Sequence, residues 1–135
     1  EEIEDIFVAA KDYLRNLKAR GIQKDHILQS STLMLLDKNN MTRQYIDDYL
    51  QENQIIIKDS IDISDMDLLI DFARIGVGVA CVIKNFVRED LGNGTLVEIP
   101  LGFPIHKREV GFAYKTTTKP SKSLAEFIHF YKTYR

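Results

Sequence analysis

Val77 to Ile83, VGVACVI, carries no charged or polar side chain other than a thiol. A strand with one face in water alternates apolar and polar residues. A run without alternation therefore predicts a strand buried on both faces, as in a parallel sheet covered by helices. Leu33 to Leu36 is a second apolar run of strand length, ending at Asp37. The turn formers Asp37, Lys38, Asn39 and Asn40 follow it. Asn39 or Asn40 suits an N-cap, and Met41, Tyr45, Ile46, Tyr49 and Leu50 then share one helical face. Gly78 predicts a close approach of the neighbouring helix at the start of the Val77–Ile83 strand.

The rest of the chain fits this frame. Ile3 to Ala10 reads as a strand, followed by a short helix capped by Asp12, packed through Tyr13, Leu14 and Leu17, and stopped by Gly21. Gly21 to Ser31 is a polar connection. Ile55 to Ile57 begins another strand, continued by Ile61 and Ile63. Ser64 caps the next helix, whose Met66, Leu69, Ile70 and Ala73 form one buried face, and Gly76 ends it. Phe86, Val87 and Leu91 lie on a short helical segment ending at Gly92, and Asn93-Gly94 marks a turn. Thr95 to Leu101 is a strand restricted to an end or edge by Pro100. Gly102 to Lys107 is a connector, Arg108 to Lys115 a further strand, and Thr116 to Pro120 a linker. A last helix capped by Ser121 carries Leu124, Phe127, Ile128, Tyr131 and Tyr134 on one face. The middle is thus β-α-β-α-β, the pattern of a doubly wound α/β fold with a mostly parallel sheet and flanking helices.

Such sheets bind ligands beyond the carboxyl ends of their strands. For a 2-1-3 strand order the relevant turns are Lys38–Arg43 and Lys84–Asn85. A helix starting there points free N–H groups and a positive dipole end outward, so the first turn suits a small anion, with Thr42 and Arg43 adding a hydroxyl and a guanidinium. An ordinary strand-to-helix connection is the other reading of the same residues.

Other chemistry is sparse. The net charge of −2 gives no electrostatic footprint for gripping nucleic acid. One cysteine, Cys81, excludes an intrachain disulfide and sits inside an apolar strand, where a packed thiol is expected. His26, His106 and His129 lack ligand spacing, so no metal or other cofactor is expected. No nucleophile elbow, P-loop or dinucleotide fingerprint is present. The aspartates Asp62, Asp65, Asp67 and Asp71 read as caps and solvated charges around a helix start. The longest apolar run, Ile75 to Ile83, is too short to cross a bilayer.

Two stretches resemble a known family. ILQSSTLMLLDKNNMTRQYIDDYLQENQI, Ile27 to Ile55, is similar to the strand, polar turn and long helix of the effector-binding domain of LysR-type transcriptional regulators. DMDLLIDFARIGVGVACVIKNFVREDLGNGTLVEIPL, Asp65 to Leu101, resembles that family's helix, its G-x-G-[IV]-[AT] strand start, and its L-x-x-G-x-L turn. The tail, Glu109 to Tyr134, resembles the family's returning strand and final helix.

The resemblance implies a Rossmann-like lobe of a periplasmic-binding-protein-type (type 2) effector domain. Residues 1–10 would be the first hinge strand and 11–99 the second lobe. Residues 100–115 would hold the second hinge strand and 116–135 a helix returning to the first lobe. It implies a small, anionic or polar effector held between two lobes, contacts from Asn39, Asn40, Met41, Thr42 and Arg43, and possible contacts from Lys84 and Asn85. The family's usual proline is missing at Ile83-Lys84. The resemblance further implies no catalysis, a cytoplasmic homo-oligomer pairing through Met41–Asn53 and Gln54–Ile61, and DNA binding only through a separate N-terminal domain. A lobe of a solute-binding protein has the same architecture and is the alternative expectation. A small α/β enzyme using Thr42, Arg43 or Cys81 would need a paired base that the sequence does not place.

Overall fold

The computed structural model describes residues 2–109. The expected strand beyond Glu109 and the expected final helix lie outside the described residues. The strands are β1 (Glu2–Ile3), β2 (Asp5–Ala10), β3 (Thr32–Leu36), β4 (Asp59–Ile63), β5 (Val79–Ile83), β6 (Leu96–Glu98) and β7 (Arg108–Glu109). The helices are α1 (Lys11–Ala19), α2 (Ile27–Ser30), α3 (Met41–Glu52), α4 (Met66–Arg74) and α5 (Arg88–Asn93).

Five strands form one sheet in the order β4-β3-β5-β2-β6, and β1 pairs separately with β7. β3 runs parallel to both β4 and β5, while β2 is antiparallel to β5 and to β6. Four of the five strands therefore point the same way, and β2 alone opposes them. The β4-β3-β5 portion is the 2-1-3 order expected from the sequence. The connections from β3 to β4 and from β4 to β5 cross the sheet in opposite senses. Crossovers of one hand then carry α3 and α4 to opposite faces.

The packing shows this directly. Phe7, Leu33, Leu35, Val79 and Cys81 point to the face covered by Ile46, Tyr49 and Leu50 of α3. Ile6, Val8, Met34, Leu36, Ala80 and Val82 point to the face covered by Leu69, Ile70 and Ala73 of α4. Burial on both faces removes the alternation from β5 and β3. Each fully buried Leu or Ile stabilises by about 1.5–3 kcal/mol, so this packing outweighs any single cap in fixing the helices.

Local differences from the sequence reading have physical causes. α4 is capped by Asp65, whose Oδ1 accepts the Leu68 N–H at 2.8 Å, not by Ser64. A carboxylate there also meets the positive end of the helix. Asp12 lies in the first turn of α1, behind an Ala10 N-cap, and pairs with Arg15. α5 continues through Gly92 to Asn93, because Gly94 supplies the left-handed residue (φ 85°) that ends it. The strand expected from Ile55 begins only at Asp59. Gln54 turns left-handed at φ 56°, the Ile55 N–H closes onto Leu50 O, and Ile55 and Ile57 pack against the α3-side core. At Gly78 a Cβ would stand 2.4 Å from Thr32 O, so the close neighbour is the β3 backbone and not a helix.

Candidate functional site

The carboxyl ends of β3 and β5 and the amino end of β2 meet along one edge of the sheet, since Asp5 lies opposite Ile83. The turn after β3 is closed by its own side chains. Asp37 Oδ1 accepts the Asn39 N–H at 3.2 Å, and Asp37 O accepts the Asn40 N–H at 3.1 Å. Asn40 is the N-cap of α3, with its Oδ1 accepting the Thr42 N–H at 2.8 Å and its carbonyl the Arg43 N–H at 3.0 Å. Most of the donors that would meet an anion are thus already occupied, and the Met41 N–H keeps no partner among the described residues. An open concavity of about 420 Å³ adjoins this turn, lined by Lys38, Asn39, Asn40, Met41, Gln44, Tyr45 and Asp48.

The five residues expected at the site divide. Asn39, Asn40 and Met41 line the concavity, whereas Thr42 is half-buried and is not among its lining residues. Arg43 is buried, and its guanidinium is engaged on the protein. Nε donates to Asp47 at 2.8 Å, and Nη1 donates to Asp62 at 2.6 Å and to Leu36 O at 3.0 Å. It clamps the end of β3 to β4 and to the second turn of α3. Burial opposes its charge, but the two carboxylates more than compensate and its pKa rises. Lys84 sits between Glu4 and Glu98, at 3.7 and 3.5 Å, and Asn85 Oδ1 accepts from Arg88 Nε.

The structure adds three residues at this edge. Asp5 begins β2 and is almost fully buried, with its side chain 1% exposed. Arg108 on β7 grips it from two sides, with Nε to Oδ2 at 2.7 Å and Nη2 to Oδ1 at 3.0 Å. The same Nη2 donates to Thr42 Oγ1 at 3.0 Å. The guanidinium carbon stands 5.5 Å from the centre of the Tyr45 ring, a cation–π distance. Tyr45 in turn donates its hydroxyl to His106 O at 2.6 Å, and Tyr49 donates to Phe103 O. The segment leading to β7 is thereby stapled along α3, and Arg108 joins the α3 turn to β2.

Asp5 announced itself only as a charge inside an otherwise apolar strand, and buried charges require partners. Its partner lies 103 positions away, beyond the reach of any spacing argument. Cys81 faces the same side of the sheet. Burial first, then Asp5, raises its thiol pKa well above the usual range, with Arg108 opposing. No group of acidic, histidine or cysteine residues able to hold a metal occurs among the described residues. Nor is any helix among them long and apolar enough to cross a membrane.

Helices on both faces, a β4-β3-β5 core and a polar edge joined to a pair of short antiparallel strands define an α/β lobe of the type 2 periplasmic-binding-protein architecture. Residues 3–135 match the LysR substrate binding domain family, and the chain belongs to it. The chain is similar to the regulatory domain of HypT from Salmonella typhimurium in its apo form, with 19% identity and a TM-score of 0.60 over 97% of this chain and 60% of that one. It is also similar to the regulatory domain of CcmR from Synechocystis PCC6803 in complex with 2-PG, with 11% identity and a TM-score of 0.64 over 96% and 61%. ArgP from Mycobacterium tuberculosis matches with 13% identity and a TM-score of 0.58 over 73% and 33%. The chain thus spans less than two thirds of the length of these relatives. No curated protein sequence matches it.

Proposed function

We propose that the chain is the ligand-sensing lobe of a LysR-type transcriptional regulator, and that a small polar effector binds at the carboxyl edge of β3 and β5. The observation that carries this reading is the Arg108 junction. One guanidinium touches the α3 turn through Thr42, the amino end of β2 through Asp5, and the α3 flank through Tyr45. A ligand seated on Thr42 therefore acts on a group that ties the turn to β7, a strand paired with β1. Residues 1–10 and 100–115 would then be the two hinge segments, and the ligand would favour one lobe arrangement over another. Lys38, Asn39, Asn40 and Met41 would frame the entrance, and Arg43 would hold the turn in place.

The regulatory domain of CcmR in complex with 2-PG supports a small-molecule ligand for this architecture. We expect no chemistry on the ligand. Oligomers would pair through α3 and the 54–61 segment, where β4 presents an exposed edge. DNA binding would belong to another domain of a cytoplasmic regulator.

A thermal-shift screen of small polar metabolites tests the reading. A binding compound should raise the melting temperature, and Thr42→Val, which also loses the hydrogen bond from Arg108 and so lowers the unliganded melting temperature, should reduce the rise that the compound adds to its own baseline. An unaltered rise in Thr42→Val would remove Thr42 from the site.

A further inference from the structure

Residues 99–107 join β6 to β7 and form no helix or strand. Pro100, Gly102 and Pro104 mark them as a connector, and connectors usually lie loose on a surface. This one is fastened along its length. Ile99 and Ile105 are buried, and Leu101 packs beside them in the core that also holds Ile46, Tyr49 and Leu50 of α3. The Ile99 N–H donates to Phe7 O at 2.8 Å. Tyr49 and Tyr45, one turn apart on α3, donate their hydroxyls to Phe103 O and to His106 O. One helix thus holds the connector at two points, through backbone carbonyls that no change of side chain in the connector would remove.

The chain leaves the connector at Arg108, which is fixed as well. Its guanidinium makes a two-point, charge-assisted pair with Asp5, whose side chain is 1% exposed. Opening that pair would strand a buried carboxylate, which is the expensive way to break an ion pair. Arg108 also stands opposite Ile3 in the antiparallel β1–β7 pair. Ile3 is buried against Ile83, with Met66 and Phe86 beside it, and the next carbonyl, Glu4 O, accepts the Lys84 N–H at 2.9 Å. The first strand is therefore held to the body of the lobe as firmly as the last.

We propose that residues 99–108 form a strap that Tyr45 and Tyr49 pin to α3, so that the strap moves as one body with the lobe. The two crossing segments then leave the lobe as a single locked pair. Of the hinge segments, only the parts outside Ile3 and Arg108 are left to bend. A tilt of α3 passes to both segments at once, because the strap has no slack to absorb it. Tyr45 and Tyr49 are positioning residues in this device. The strap stands on contacts within this lobe, and only its use in lobe motion rests on the two-lobe reading.

Residual dipolar couplings of the weakly aligned chain, without ligand, test the proposal. The amides of Ile3 and of the non-proline residues in 99–108 should fit the alignment of the β3 and β5 amides at full size. Tyr45→Phe combined with Tyr49→Phe keeps both rings and removes only the hydroxyls. In that variant the couplings of 101–107 should shrink at least about twofold while those of β3 and β5 hold. Couplings of 101–107 already reduced in the unaltered protein would overturn the strap, and full-size couplings in the double variant would overturn the pinning. If the double variant does not fold, the unaltered protein decides by itself. No ligand enters this measurement, so its failure leaves the effector site untouched, and a failed ligand screen leaves the strap standing.

Discussion

Arg43 and Arg108 show how one residue type takes two roles at neighbouring positions, since Arg108 bonds Thr42, the residue before Arg43. Arg43 is engaged by two carboxylates and a carbonyl on its own lobe, whereas Arg108 joins three separate elements through Asp5, Thr42 and the Tyr45 ring. Arg43→Met should therefore destabilise the fold by about 1–2 kcal/mol, modest because the half-exposed Asp47 and Asp62 regain water. Urea unfolding would read this, and an unchanged midpoint would show that the clamp contributes nothing. The α3-spaced pair Arg43 and Asp47 was legible in the sequence; the reach to Asp62 and Leu36 was not, because it depends on β4 lying beside β3. Cys81 gives a pH prediction. Its folded pKa lies well above the unfolded value of about 8.5, so the thiol's contribution is fully present below that pH. Above it the unfolded chain ionises first and stability is lost. Unfolding free energy should fall above about pH 9 more steeply in the protein than in Cys81→Ala. Equal slopes would contradict the buried placement of the thiol.

At the scale of elements, short apolar runs and turn residues carried most of the information. The order β3-α3-β4-α4-β5 follows from the unalternating runs, the Asn40 cap and the left-handed Gly76 at the end of α4. Boundaries failed where a non-glycine residue adopted an unexpected backbone, as at Gln54, and where two neighbouring residues could each cap, as at Ser64 and Asp65. Gly78 was expected to admit a helix, and its contact is instead the carbonyl of Thr32 on the adjoining strand. That contact cannot relax by a rotamer change. Gly78→Ala should cost about 2–3 kcal/mol of stability, an overpacking penalty read as a fall in melting temperature. A melting temperature within error of the original would mean that β3 and β5 can separate at little cost. Asn40→Ala should cost about 1 kcal/mol, the usual loss on removing an N-cap, and loosen the turn that frames the concavity. No change in stability would leave Asn40 without a capping role.

For the whole molecule, the antiparallel β2 matters most. It places Asp5 at the carboxyl edge of its parallel neighbours, and the staple of Tyr45 and Tyr49 to the 103–106 segment delivers Arg108 to the same point. The turn at Thr42 was visible from the strand and cap that flank it. The junction that completes it was hidden, because it assembles the first strand, the central turn and the last described strand of the chain. A ligand at this edge is expected to be felt at all three together. The most direct test maps amide NMR shifts during titration with compounds that raise the melting temperature. Coincident shifts at Asp5, at Asn40 to Tyr45 and at Arg108, saturating with one affinity, are the predicted result. Shifts confined to other surfaces, with these residues unmoved, would contradict the placement of the effector site at this edge.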